Sequence, residues 1–177
     1  MRGNNFAYID GNNLYKGVKN CGWSIDFARF RKWLADKFHV ERAYYFIGMI
    51  SKEKDLYVAL QKAGFTLIFK EVVYDGLGKP KGNCDADLVL QSVIDAFENN
   101  CENQILVSSD GDYSGLAKFL HSKNKLRGIL SPSNSDRCSI LLKRLNVPII
   151  FLNDVRKKVR LKEKAPVKDE TLKGSFS

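Results

Sequence analysis

The chain has no close pair of cysteines. Its four, Cys21, Cys84, Cys101 and Cys138, are scattered, and none lies near a histidine. That pattern excludes a CxxC-type zinc half-site and favours reduced, mostly buried thiols. Histidine is equally scarce: His39 and His121 are the two present, each in or beside an amphipathic stretch, and both read as ordinary helix-end residues rather than ligands. No apolar run reaches the ~18 residues of a membrane span, and Met1–Asn5 lacks the apolar segment and cleavage site of a signal peptide. The expectation is a cytoplasmic protein without membrane contact. Acid is also in short supply, with 20 Asp plus Glu against 29 Lys plus Arg and a net charge of +9. A basic balance bears on partners rather than fold. It favours a polyanion such as RNA or DNA, although a solvated basic surface would give the same number.

What is present is a single domain's worth of patterned sequence. At 177 residues, 44% hydrophobic, the chain can build one sizeable core and not comfortably two. Strand and helix signals alternate. Phe6–Ile9 is a short apolar strand, and Phe27, Phe30, Leu34 and Phe38 form a helical stripe over residues 26–38 that Asp26 can cap. Residues 43–50 read as strand, 54–63 as helix and 65–73 as strand. Residues 74–82 carry turn chemistry. Residues 85–99 give the clearest helix, followed by strand 105–107, helix 114–122, strand 126–130, helix 135–145 and strand 147–152. This order predicts an α/β three-layer fold: a central, mostly parallel sheet of five to six strands with helices on both faces. Residues 1–153 form that domain. Residues 154–177, rich in Lys and Arg and poor in core formers, read as a flexible basic tail, either solubilising or holding a nucleic-acid backbone.

The scarce acids are not spread evenly. Asp10 ends the first strand, Asp85 and Asp87 open the helix at 85, and Asp110 and Asp112 follow the strand at 105–107. In a doubly wound sheet the crevice lies outside the carboxyl ends of the strands, at the topological switch point. All these acids reach one crevice if the strands at 6–9 and 105–107 are neighbours. Several carboxylates packed together repel one another, and some must take up protons, unless a cation is present. Hard Mg²⁺ or Mn²⁺ is the natural occupant, and its chemistry is phosphodiester hydrolysis by activated water. Each motif alone has a simpler reading: Asp10 and Asp85 as helix caps, Asp87 as a first-turn acid, and Asp110–Asp112 as a turn.

The strings YIDGNNLY, KGNCDADLVLQSVID and ILVSSDGDYSGLAKFL, in this order and spacing, resemble the NYN domain, also called LabA-like, of the PIN-like nuclease superfamily. The resemblance spans roughly residues 5–152. It implies a PIN-like Rossmannoid fold and a Mg²⁺- or Mn²⁺-dependent ribonuclease site. It also implies Asp10, Asp85, Asp110 and Asp112 as catalytic and metal-holding residues, with Asn13, Asp87 and Ser109 orienting ligands or water. Tyr113 stands where the family commonly has Phe, a mild departure that leaves the acids intact.

Lys16, Lys52, Lys54, Lys79 and Lys81 flank the expected crevice and are candidates for phosphate contact. Tyr15, Tyr74 and Tyr113 are candidates for stacking on bases. Ser131–Ser135 should lie on the same side, as a phosphate contact or a plain cap. The leading expectation is thus a metal-dependent ribonuclease, with homodimerisation open. A non-catalytic RNA-binding or regulatory module is the alternative. A phosphatase using Asp10 as nucleophile is disfavoured, because Asp10-Gly11-Asn12 lacks a second acid two residues on.

Overall fold

The strand Asn5–Asp10 (β1) is enclosed on both faces, and its alternation explains the layers. Ala7 and Ile9 point to one core, and Phe6 and Tyr8 to the other. Strands buried on two sides belong to a parallel sheet between helical layers. The computed structural model, which describes residues 3–71, 73–74, 76–77, 80–81 and 84–162, has that arrangement. After β1 come helix α1 (Gly11–Asn20), α2 (Phe27–Phe38), β2 (Val40–Met49), α3 (Lys54–Lys62) and β3 (Thr66–Glu71). A small hairpin pairs β4 (Val73–Tyr74) with β5 (Pro80–Lys81). The second half runs α4 (Asp85–Phe97), β6 (Asn103–Val107), α5 (Ser114–Ser122), β7 (Leu126–Ser131), α6 (Ile140–Lys143), β8 (Ile149–Phe151) and α7 (Arg156–Val159).

The main sheet has the order β3-β2-β1-β6-β7-β8, and every pairing in it is parallel. The chain winds outward from β1 to β3, then returns to pair β6 with β1 and winds the other way. The switch point is therefore the β1–β6 seam, where Ile9 sits opposite Val107. One core holds Leu14, Phe30, Leu34, Leu60 and Val159 from helices α1, α2, α3 and α7. The other holds Leu88, Leu116, Leu120 and Leu142 from α4, α5 and α6. Among the described residues no helix is long and apolar enough to cross a membrane.

Three segments differ from the sequence expectation. Residues 11–20 form α1, although only Leu14 and Val18 supply a helical apolar signal there. Glycine occupies the remaining inward positions because backbone and rings approach too closely for a side chain. A Cβ on Gly17 would stand 2.9 Å from the Pro132 carbonyl carbon, and one on Gly11 would stand 2.8 Å from the Phe46 carbonyl oxygen. The helix expected over 135–145 shrinks to Ile140–Lys143. Residues 134–138 instead form a turn closed by bonds from the Arg137 and Cys138 N–H groups to the Asn134 carbonyl, since Ser, Asn and Asp favour turns over helix interiors. Finally, part of the segment expected as a basic tail is packed. Val159 is fully buried, Asp26 N–H donates to its carbonyl at 2.9 Å, and Leu161 N–H donates to the Ser24 carbonyl at 2.8 Å.

Candidate active site at the strand switch point

Asp10 is the last residue of β1 and the cap of α1. Its Oδ1 accepts the Asn13 N–H at 3.0 Å, as a helix N-cap should. Across the seam, the Ser108 hydroxyl accepts the Asp110 N–H at 3.1 Å, and Asp110 Oδ1 caps the following 3-10 turn through the Asp112 N–H at 3.1 Å. Asn13 ties the two strand ends together. Its Oδ1 accepts both the N–H and the hydroxyl of Ser109, at 2.9 and 3.0 Å. The Ser109 hydroxyl continues to Ser133 Oγ at 3.1 Å, and its carbonyl accepts the Ser139 N–H. Asn13 and Ser109 thus hold the ends of β1, β6 and the loop after β7 in register.

Asp85 arrives from a third direction, at the start of α4. Its Oδ1 accepts the Tyr113 hydroxyl at 2.5 Å, and the same hydroxyl lies 3.2 Å from Asp10 Oδ2. Two carboxylates therefore converge on one oxygen. Burial raises the Asp10 carboxyl above its ordinary range, and the charges of Asp85 and Asp110 add to the rise against the lowering effect of the Asn13 N–H. Burial first, then Asp10 and its bond to Asp85, push the Tyr113 phenol far up. Burial followed by Asp10, Asp87 and Asp85 raises the Cys84 thiol to about 11. Asp10, Asp85 and Asp110 thus lie near enough to influence one another in a basic protein.

The other expected residues divide. Asp112 is exposed, and its tie to Asp110 runs through its backbone N–H. Asp87 turns to β3 and pairs with Lys70 at 3.0 Å, a partner that sequence spacing does not reveal. Lys16, Lys52 and Lys54 are exposed after β1 and β2. Lys79 lies outside the described residues. Lys81 is placed in β5 and Tyr74 in β4, but their side chains are not among those described. Tyr113 is not a surface aromatic, because its ring is fully buried in the second core and no base can stack on it. Among the candidate rings that are described, Tyr15, 58% exposed with Lys19 over its ring, is the available one. Ser131 and Ser133 are buried and spend their hydroxyls internally.

Asp10, Asp85 and Asp110 offer carboxylate oxygen only, the donor that hard divalent cations take. Among the described residues no three His, Cys, Asp or Glu side chains are gathered tightly enough to hold an ion between them. The set suits an ion that keeps several of its waters and takes one or two carboxylates, as Mg²⁺ does, rather than a closed cage.

Comparison with known proteins bears on the family and the fold. The family model of the NYN domain matches residues 7–142. The Low amplitude and bright protein LabA of Synechococcus elongatus is 27% identical over 158 residues, covering 84% of this chain and 83% of its own length. A solved protein of unknown function from Vibrio parahaemolyticus superposes with a TM-score of 0.73 at 21% identity, covering 90% of this chain and 98% of its own, which establishes the shared fold.

Proposed function

This chain belongs to the NYN domain family, a family generally of nucleases, and from that premise we propose that it is a divalent-metal-dependent ribonuclease. The observation that carries the reading is the convergence of Asp10 and Asp85 on the Tyr113 hydroxyl, with Asp110 close enough to raise the Asp10 carboxyl. One or two of the carboxylates of Asp10, Asp85 and Asp110 would hold Mg²⁺ or Mn²⁺, the ion keeping several of its waters. When bound, the cation supplies an activated water and polarises a phosphoryl oxygen.

The chain's own residues prepare that chemistry. The Asn13 N–H fixes one Asp10 oxygen, and the Tyr113 hydroxyl is set between its other oxygen and Asp85. The Asn13–Ser109 bonds lock β1 against β6, so the acids from the two strand ends do not drift apart. Carboxylates held in place before substrate arrives need little reorganisation during reaction. Exposed Lys16 and Tyr15 on α1 are suited to phosphate and base contact respectively.

The test is cleavage of a mixed-sequence single-stranded RNA in Mn²⁺, in EDTA, and by the Asp10→Asn variant. Cleavage that needs both the metal and Asp10 is expected. A folded Asp10→Asn protein cutting as fast as the parent would remove the role given to Asp10. RNA bound without cleavage in every lane would leave a binding module.

A further inference from the structure

Residues 156–162 hold five cations: Arg156, Lys157, Lys158, Arg160 and Lys162. All five are exposed, yet the backbone that carries them is anchored. Val159 is buried in the first core, and Arg160 bridges Ile25. The Arg29 guanidinium, from the first turn of α2, donates to the Arg160 carbonyl at 2.7 Å and the Lys157 carbonyl at 2.9 Å. A guanidinium has five N–H groups, so Arg29 holds α7 in place and keeps donors to offer. Between the two elements lies an open cleft of about 440 Å³ whose lining residues, Arg29, Lys157, Arg160 and Lys162, are all cationic. The nearby Asp26 spends its carboxylate on the Arg29 backbone N–H at 3.0 Å.

Four positive side chains around one concavity repel each other, and an anion relieves that repulsion. The cleft is also placed relative to the acids. Asp10 caps one end of α1, which is about 15 Å long. Ser24, four residues past the other end, accepts the Leu161 N–H. Along α1 itself Lys16 and Lys19 are exposed.

We propose that the α2–α7 cleft binds the phosphate backbone of a single-stranded RNA, gripping it a few nucleotides from the bond presented to Asp10. This rests on the nucleic-acid reading above but not on turnover. The cleft supplies affinity and register, because lysine and arginine on phosphates read no sequence.

The experiment is anisotropy of a labelled single-stranded RNA with the full chain in EDTA, titrated across about 50–300 mM KCl. DNA of the same sequence runs in parallel. The Lys157→Gln/Arg160→Gln/Lys162→Gln variant should bind about tenfold more weakly at ~100 mM salt, and its log–log salt dependence should be shallower by about 2, near 0.7 per lost contact. A double variant, Lys157→Gln/Lys162→Gln, spares Arg160 and should show a smaller loss in the same direction. A control, Lys37→Gln/Lys118→Gln, removes charge from other exposed positions and should change little. Thermal melts establish that each variant is folded. Loss on RNA and DNA alike identifies a phosphate clamp, and loss on RNA alone identifies one that also senses the ribose. Unchanged affinity and slope in the cleft variants, or an equal loss in the control, overturns the proposal. Cleavage in Mn²⁺ is read separately. A parent that binds through the cleft without cutting sinks the nuclease reading alone, whereas a parent that cuts while cleft variants bind normally sinks the cleft alone.

Discussion

At Tyr113 one hydroxyl stands between two carboxylates, 2.5 Å from Asp85 and 3.2 Å from Asp10. Tyr113→Phe keeps the buried ring and deletes that donor, so metal-free stability should fall by about 1–3 kcal/mol in urea denaturation. Added Mn²⁺ should recover part of the loss by taking over the neutralising role. Asp10 works in the opposite sense. Its carboxyl is raised by burial and then by Asp85 and Asp110, so the folded state binds the proton more tightly than the unfolded chain. The stabilisation is complete below the ordinary carboxyl range and is lost as pH rises through the folded-state value. In EDTA, Asp10→Asn should therefore melt higher than the parent at pH 7, with the gap closing toward acid pH. A parent that melts higher at pH 7 would contradict the strained carboxylate. Cys84 reports on the same field: its thiol, near 11, should alkylate slowly at pH 8 and faster in Mg²⁺, because a cation beside Asp10 and Asp85 offsets two of the charges that raise it. Peptide mass spectrometry distinguishes it from Cys21, the other half-buried thiol.

At the scale of elements, the site depends on where α1 and α4 are seated. Gly17 lets α1 lie against Pro132. Gly17→Ala should cost roughly 1–3 kcal/mol, because the neighbour is backbone and a rigid ring rather than a flexible tip. A smaller cost would mean that the loop after β7 yields. Helix α4 is clamped to the sheet by buried polar bonds: the Tyr8 hydroxyl donates to Asp95 at 2.7 Å, and the Gln104 amide donates to the Ser92 carbonyl at 2.8 Å. The α4 helix was legible from its apolar face and acidic first turn. The α1 helix was not, because the glycines that permit its close packing take the positions where an apolar stripe would have appeared. The hairpin β4–β5 was unreadable for a different reason, since two residues per strand carry no periodicity.

For the whole molecule, the packed part of the basic segment ties the last described residues to α2. The α2 and α7 helices close one face of the sheet together, with Val159 fully buried among Phe30, Leu34 and their neighbours. Removing residues 154–177 should therefore lower stability by at least about 2 kcal/mol, the scale of one buried aliphatic side chain, besides opening the bonds from Arg29. Urea unfolding of the shortened chain measures this, and an unchanged midpoint would show that α7 contributes nothing to the fold.

The sequence by itself determined the fold class and most of the alternation of strands and helices, and it marked the acids at 10, 85, 87, 110 and 112 as candidates, because strand burial, helix periodicity and turn chemistry are local and leave local marks. Only the tertiary structure decided which of those candidates lie together. It withdrew Asp87 to Lys70, buried Tyr113 as a bridge between carboxylates, and joined Asn13 to Ser109 across 96 positions. It also turned the start of a presumed tail into one wall of a cationic cleft. Each of these is a contact between distant parts of the chain, set by how the β1–β6 seam and the α2–α7 pair close, and such contacts have no period or composition from which to read them.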